Sequence, residues 1–357
     1  LIKNSNSAMR RYAFLLYPFA LLYDLVTGLR NLFFDLGWLK SVSSPIPSIV
    51  VGNLSVGGTG KTPMVEYLIR MLHNEKRLAT LSRGYGRKTK GFLKASPTVS
   101  PQEIGDEPFQ VYGKFGTHIS VYVGEDRVKA LEEIEAKSDA PELVILDDAF
   151  QHRHVRGNLQ ILLTTYQKPF FSDFLLPMGR LREGKSGAKR ADVVVVTKCP
   201  EALDSFEKDV IKSKMAAYSV APVLFSSISY GDPVPLHNPE LFSSRIILLT
   251  GLANDRPLVE YVREKYDLLE VLSYPDHYDY KEVDFDKIRA VYKQHTLLNP
   301  VVLTTEKDAV KVKSNAPEGF LEEIPIFVLP IKMSFSSADE LALAKLIQQK
   351  VFKKDNN

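Results

Sequence analysis

The chain has 357 residues, 45% hydrophobic and 25% charged, with a formal net charge of +3; it is too long for one small core and too apolar for disorder, so two lobes are expected. Residues 1–45 carry five basic and two acidic side chains and so hold the whole excess, and the balanced remainder lacks the basic stripe that nucleic-acid binding needs. The single cysteine, Cys199, excludes an internal disulfide and a cysteine-rich zinc site and fits a reducing compartment.

The first segment, 1–45, opens with an uncharged run over 12–23, but Asp24 and Arg30 interrupt it before the roughly 20 residues a spanning helix needs. No small-residue cleavage site follows, so it does not read as a cleaved signal. Helical spacing gathers Asp24, Thr27, Asn31 and Asp35 on one stripe and Phe14, Leu15, Phe19, Leu22, Leu25, Val26, Leu29 and Leu36 on the other side. This predicts an amphipathic helix lying on a membrane, with Arg10, Arg11 and Arg30 towards anionic headgroups and Pro18 as a kink. Packing of that face against the chain's own core is the competing reading. Met9 before two arginines resembles a natural start, which makes residues 1–8 an upstream addition.

Ser44-Pro45-Ile46-Pro47 ends that segment, and strand and helix patterns then alternate as in a parallel α/β sheet. Apolar runs at 48–51, 78–81, 119–123, 143–146, 159–163 and 193–197 read as strands covered on both faces, with helices at 62–73, 127–136 and 201–217. A second α/β series starts near Arg245, with strands at 246–250 and 301–304 and helices around 258–264 and 283–294. The expected organisation is an N-terminal segment 1–45, a core over 46–235 and a smaller lobe over 236–357.

Between the first strand and the first helix of the core lies Gly52-Asn53-Leu54-Ser55-Val56-Gly57-Gly58-Thr59-Gly60-Lys61-Thr62. A phosphate chain needs backbone N–H groups at close approach, an ammonium for its charge and a hydroxyl for magnesium. Gly57, Gly58, Thr59 and Gly60 suit the first need, Lys61 the second and Thr62 the third, which predicts a P-loop binding ATP and Mg2+. Ser55 stands where the eight-residue pattern has its first glycine. The strand at 143–146 ends in Asp147-Asp148, so two carboxylates fall at the sheet edge that carries the phosphate loop, as hard divalent cations require.

Gly105-Asp106-Glu107-Pro108 adds an acidic pair in a turn-like setting, and Tyr274-Pro275-Asp276-His277 a histidine in the second lobe. Arg83, Arg87, Arg127 and Arg182 sit in loops or at helix starts from which arginine can clamp phosphates. Gln151-His152-Arg153-His154 offers two histidines without a further ligand cluster, a poor metal site. By these residues alone a nucleotide-driven membrane switch and a soluble metabolic kinase remain open beside a lipid kinase. Thr197-Lys198-Cys199-Pro200 has proline where a guanine-reading motif wants a carboxylate.

In this order, VGNLSVGGTGKTP, SRGYGR, GDEP, EDRV, LDDAFQH, FLLPMGRLRE, VVVTKCP, YPDHY and TEKDAVK resemble the tetraacyldisaccharide 4'-kinase family, from residue 51 to 311. The resemblance implies an α/β fold with a mostly parallel P-loop NTPase-type sheet, a second smaller α/β lobe and an amphipathic N-terminal membrane helix. It implies magnesium-assisted transfer of the ATP γ-phosphoryl group to the 4'-hydroxyl of a lipid disaccharide, at the cytoplasmic face of the inner membrane. No obligate protein partner is evident. Carried over by motif, Asp106 is the expected base and His277 its partner; Lys61 and Thr62 hold nucleotide and metal; Asp147, Asp148 and Glu183 serve the metal; Glu107, Arg127 and Arg182 line the site. Departures from the family pattern are Ala149, where glycine is common, Arg180, where proline is common, and Tyr278, where a second histidine often follows.

Overall fold

The computed structural model describes residues 16–237, 241–252, 254–276 and 278–352. The first half builds α1 (Tyr17–Asp35), β1 (Val42–Ser43), β2 (Ser48–Asn53), α2 (Lys61–Leu72), β3 (Leu78–Ser82), β4 (Leu93–Lys94), α3 (Pro101–Ile104), α4 (Asp106–Phe115), β5 (Ser120–Val123), α5 (Arg127–Glu135), β6 (Leu143–Asp147), β7 (Val155–Arg156) and β8 (Leu159–Thr165). The rest builds β9 (Val193–Cys199), α6 (Ser205–Ala216), β10 (Val223–Tyr230), β11 (Val234–Pro235), β12 (Arg245–Thr250), α7 (Arg256–Lys265), β13 (Asp267–Ser273), α8 (Glu282–Gln294), β14 (Val301–Thr305), α9 (Glu306–Asn315), α10 (Phe320–Glu323), β15 (Ile326–Leu329), β16 (Ile331–Phe335) and α11 (Ser337–Ile347).

A nine-stranded sheet runs β16-β10-β9-β8-β2-β6-β3-β5-β4, parallel except at its two outer pairs. Its central strands are runs of Val, Ile and Leu buried on both faces, and helices cover them on either side. β2 pairs with β6 on one side and β8 on the other, so the chain changes direction across the sheet at β2. That reversal opens a crevice beyond the strand's carboxyl end, where ligands of such sheets bind. A second sheet, β11-β15-β14-β12-β13, is parallel but for β11 and has its own core around Ile247, Phe285, Val302 and Phe320.

The expectation of one continuous lobe over 236–357 meets a crossover. After β15 the chain returns to the first sheet: β16 pairs antiparallel with β10, and α11 buries Leu343 and Ile347 in the first core. The return covers the edge of β10, which would otherwise present unpaired backbone groups.

α1 is amphipathic in an inverted sense. Ala20, Tyr23, Thr27, Asn31 and Phe34 face the protein, while Phe19, Leu22, Leu25, Val26, Leu29, Leu32 and Leu36 are exposed. Polar contacts hold it down: the Tyr23 hydroxyl donates to the Arg182 carbonyl (2.9 Å), Asn31 donates to Glu183 (2.8 Å) and Arg153 pairs with Asp35 (2.6 Å). Pro18, expected to kink the helix, lies in its first turn, where a missing N–H costs no helical hydrogen bond. The expected contributions of Arg10 and Arg11 fall outside the described residues. Among the described residues no helix is long and apolar enough to cross a membrane.

Candidate active site

The phosphate loop leaves β2 and enters α2 through Gly60, whose φ of 86° lies in the left-handed region that glycine occupies without a Cβ penalty. Three contacts brace the loop. Asn53 donates to the Thr59 hydroxyl (2.7 Å), Thr197 at the end of β9 donates to the Thr59 carbonyl (2.8 Å), and the Val56 amide donates to the Arg180 carbonyl (2.8 Å). Gly57, Gly58, Thr59 and Gly60 thus form a held loop, with Lys61 and Thr62 opening α2.

β6 delivers Asp147 beside β2, in register with Val51. Asp148 follows at a φ of 47°, a left-handed conformation that aspartate tolerates better than most residues. It stands between Lys61 (3.6 Å) and Arg182 (3.4 Å). Asp147 is buried, its Oδ1 has no hydrogen-bond partner among the described residues, and burial with the charges of Glu107 and Asp148 pushes its carboxyl up to about 7, against the pull of Lys61 and Arg127. Arg127 at the start of α5 is also buried, which lowers it to about 10 against the support of Asp147 and Asp148. Phosphate loop, paired acids and two arginines therefore share one electrostatic site.

Among the described residues, no three His, Cys, Asp or Glu side chains form a ready metal cage. The orphaned oxygen of Asp147 beside Asp148 fits magnesium all the same, because that ion takes one or two carboxylates and completes its shell with phosphate oxygens and water. Glu183, expected at the metal, is engaged by protein groups. Both its oxygens bind the Arg190 guanidinium (2.7 and 3.0 Å) and one also accepts from Asn31, so it ties α1 to the chain that follows it.

The acidic pair of GDEP is not in a turn. Asp106 and Glu107 form the first turn of α4, where carboxylates are favoured by the helix's positive end and Pro108 is tolerated. Gly105 sets that helix close to the loop before it: a Cβ there would lie 2.8 Å from the Tyr85 carbonyl oxygen. Asp106 lies 3.4 Å from Lys311 of the second lobe. His277, its expected partner, lies outside the described residues.

The family model described as Tetraacyldisaccharide-1-P 4'-kinase matches residues 12–351. The chain belongs to this family. A tetraacyldisaccharide 4'-kinase from Flavobacterium psychrophilum is 42% identical over 339 residues, covering 93% of this chain and 95% of its own. One from Cytophaga hutchinsonii is 38% identical, with 96% and 97% covered. The solved structure of LpxK from Aquifex aeolicus in complex with ATP matches with a TM-score of 0.73 and 32% identity, over 95% of this chain and 99% of that one. The family assignment decides for a kinase over a nucleotide-driven switch.

The tetraacyldisaccharide-1-P 4'-kinase fold also gathers residues to which the sequence reading gave no role. Gln151 stands 3.4 Å from Arg182. Lys198, at a φ of 57° near the end of β9, places its Nζ 3.8 Å from where a Cβ on Gly58 would be. Lys311 reaches Asp106 from the TEKDAVK stretch, whose presence among the matching motifs was its one signal.

Proposed function

We propose that this kinase phosphorylates the 4'-hydroxyl of a tetraacyldisaccharide 1-phosphate, with ATP as donor, at the cytoplasmic face of the inner membrane. The observation that carries the reading is the bracketing of Asp148 by Lys61 and Arg182 beside the buried, unpartnered oxygen of Asp147, next to a braced phosphate loop. The backbone amides of 57–60 and Lys61 hold the β- and γ-phosphates, and Arg127 and Arg182 take up charge on the transferring group. Thr62, Asp147 and Asp148 would hold Mg2+, which would neutralise phosphate charge.

In the chemical step Asp106 accepts the proton of the sugar hydroxyl while that oxygen forms a bond to the γ-phosphorus. The bond to the bridging oxygen breaks and its electron pair leaves with ADP. Glu107 lines the site and His277 orients Asp106. The outward face of α1 meets the bilayer in which a tetraacylated acceptor resides, because such a lipid does not diffuse to a soluble enzyme.

The test is transfer from γ-labelled ATP with magnesium to tetraacyldisaccharide 1-phosphate in micelles. Label in the lipid is the expected result; label released only as inorganic phosphate overturns the assignment of acceptor.

A further inference from the structure

α9 belongs to the second sheet's half, yet three of its residues reach elements of the site. Glu306, in its first turn, pairs with Lys114 of α4 (2.5 Å), which in turn pairs with buried Glu66 of α2 (2.6 Å). Lys307 pairs with Asp276, in the loop just before position 277 (2.5 Å). Lys311, one turn further on, lies 3.4 Å from Asp106 Oδ2 and donates to the Tyr278 carbonyl (3.0 Å). One helix thus touches the helix that carries Asp106 and the chain on both sides of residue 277, and reaches the phosphate-loop helix through Lys114.

We propose that Lys311 is a positioning residue for Asp106, an inference that rests on Asp106 being the base. Only 11% of the Lys311 side chain is exposed, against 30% for Asp106, so the ammonium is largely withdrawn from water and depends on the two oxygens it meets. A charge held at one carboxylate oxygen fixes the plane of the group and leaves its other oxygen to take a proton. Because Lys311 also grips the Tyr278 carbonyl, it sets the spacing between Asp106 and Tyr278. Glu306 and Lys307 hold α9 against the first lobe and against that loop, so the ammonium arrives at a fixed place. An exposed ion pair between two mobile side chains would have none of this support.

The experiment compares Lys311→Met, which keeps the apolar stem, and Lys311→Arg, each alone and with Asp106→Ala, reading kcat and KM for ATP and lipid together with thermal melting. A misplaced catalytic group can cost about 100-fold. Lys311→Met is therefore expected to lower kcat by up to about that factor while KM for ATP holds, and Lys311→Arg to recover part of the loss. In the Asp106→Ala background Lys311→Met is expected to lower kcat no further, since the group it positions is gone. An equal loss in both backgrounds overturns the positioning role and makes Lys311 a purely structural residue; unchanged kcat in Lys311→Met overturns it as well. Wild-type kcat in Asp106→Ala alone removes the base reading itself, a result separate from either of these.

Discussion

Replacing Leu22, Leu25 and Leu29 together with alanine tests whether the outward face of α1 is a membrane face. The three side chains are 60%, 59% and 43% exposed, so they contribute little to the fold and are available to a bilayer. Each change deletes about three carbons, worth about 2.4 kcal/mol at about 0.8 kcal/mol per CH2 if the whole side chain leaves water. With roughly half of each still to be transferred, each leucine contributes about 1.2 kcal/mol and the three together about 3.6 kcal/mol, which is about a 400-fold fall in partitioning. Flotation with vesicles containing anionic phospholipid, titrated in lipid, measures this directly. The parts of the three side chains already covered in the folded chain cap the loss of stability at about 3 kcal/mol, so the melting curve is recorded beside the partitioning. Unchanged partitioning with an intact melting curve would refute the assignment of this face to the bilayer.

Two further outcomes are expected. His152 is held down to about 4, by burial first and then by Arg127 and His154, so between about 6.5 and about 4 the unfolded chain binds a proton that the folded chain refuses. Stability is therefore lost as pH falls through that window, and His152→Gln should reduce the loss by on the order of 1 kcal/mol, allowing for the partial exposure of the ring; denaturation midpoints that run parallel for the two proteins from pH 7 to 4 would count against it. A Cβ at Gly52 would fall 2.6 Å from Phe150 Cβ and 2.9 Å from its amide nitrogen, so Gly52→Ala pushes the strand before the phosphate loop away from the chain that follows Asp148. It should cost about 1–3 kcal/mol in chemical denaturation, and a stability equal to wild type would show that the contact yields freely.

The central strands were legible because burial on both faces forces continuous apolar runs, and β2, β6, β8 and β9 are such runs. β10 and β16 were not: half-exposed Ser227, Ser229 and Ser334 and exposed Lys332 dilute the pattern, and their pairing joins positions more than a hundred residues apart. Local periodicity carries no record of such a crossover. The phosphate loop and Asp147-Asp148 were legible from their place after strands. The helix of Asp106 was not, since Gly and Pro on either side of the acids read as a turn. Glu183 was placed at the metal by motif alone, and its partners Arg190 and Asn31, from a following turn and from α1, meet it only in the folded chain. Lys311 carried a motif but no visible role, because its partner is supplied by the other lobe.

Whether Asp106 takes the acceptor's proton is read from single-turnover phosphoryl transfer to the lipid by wild type and Asp106→Ala, with ATP, magnesium and lipid saturating. A positioned base contributes about 10² to 10⁴ in rate, so the variant should be slowed by about that factor while still binding ATP. A wild-type rate in Asp106→Ala would contradict the account.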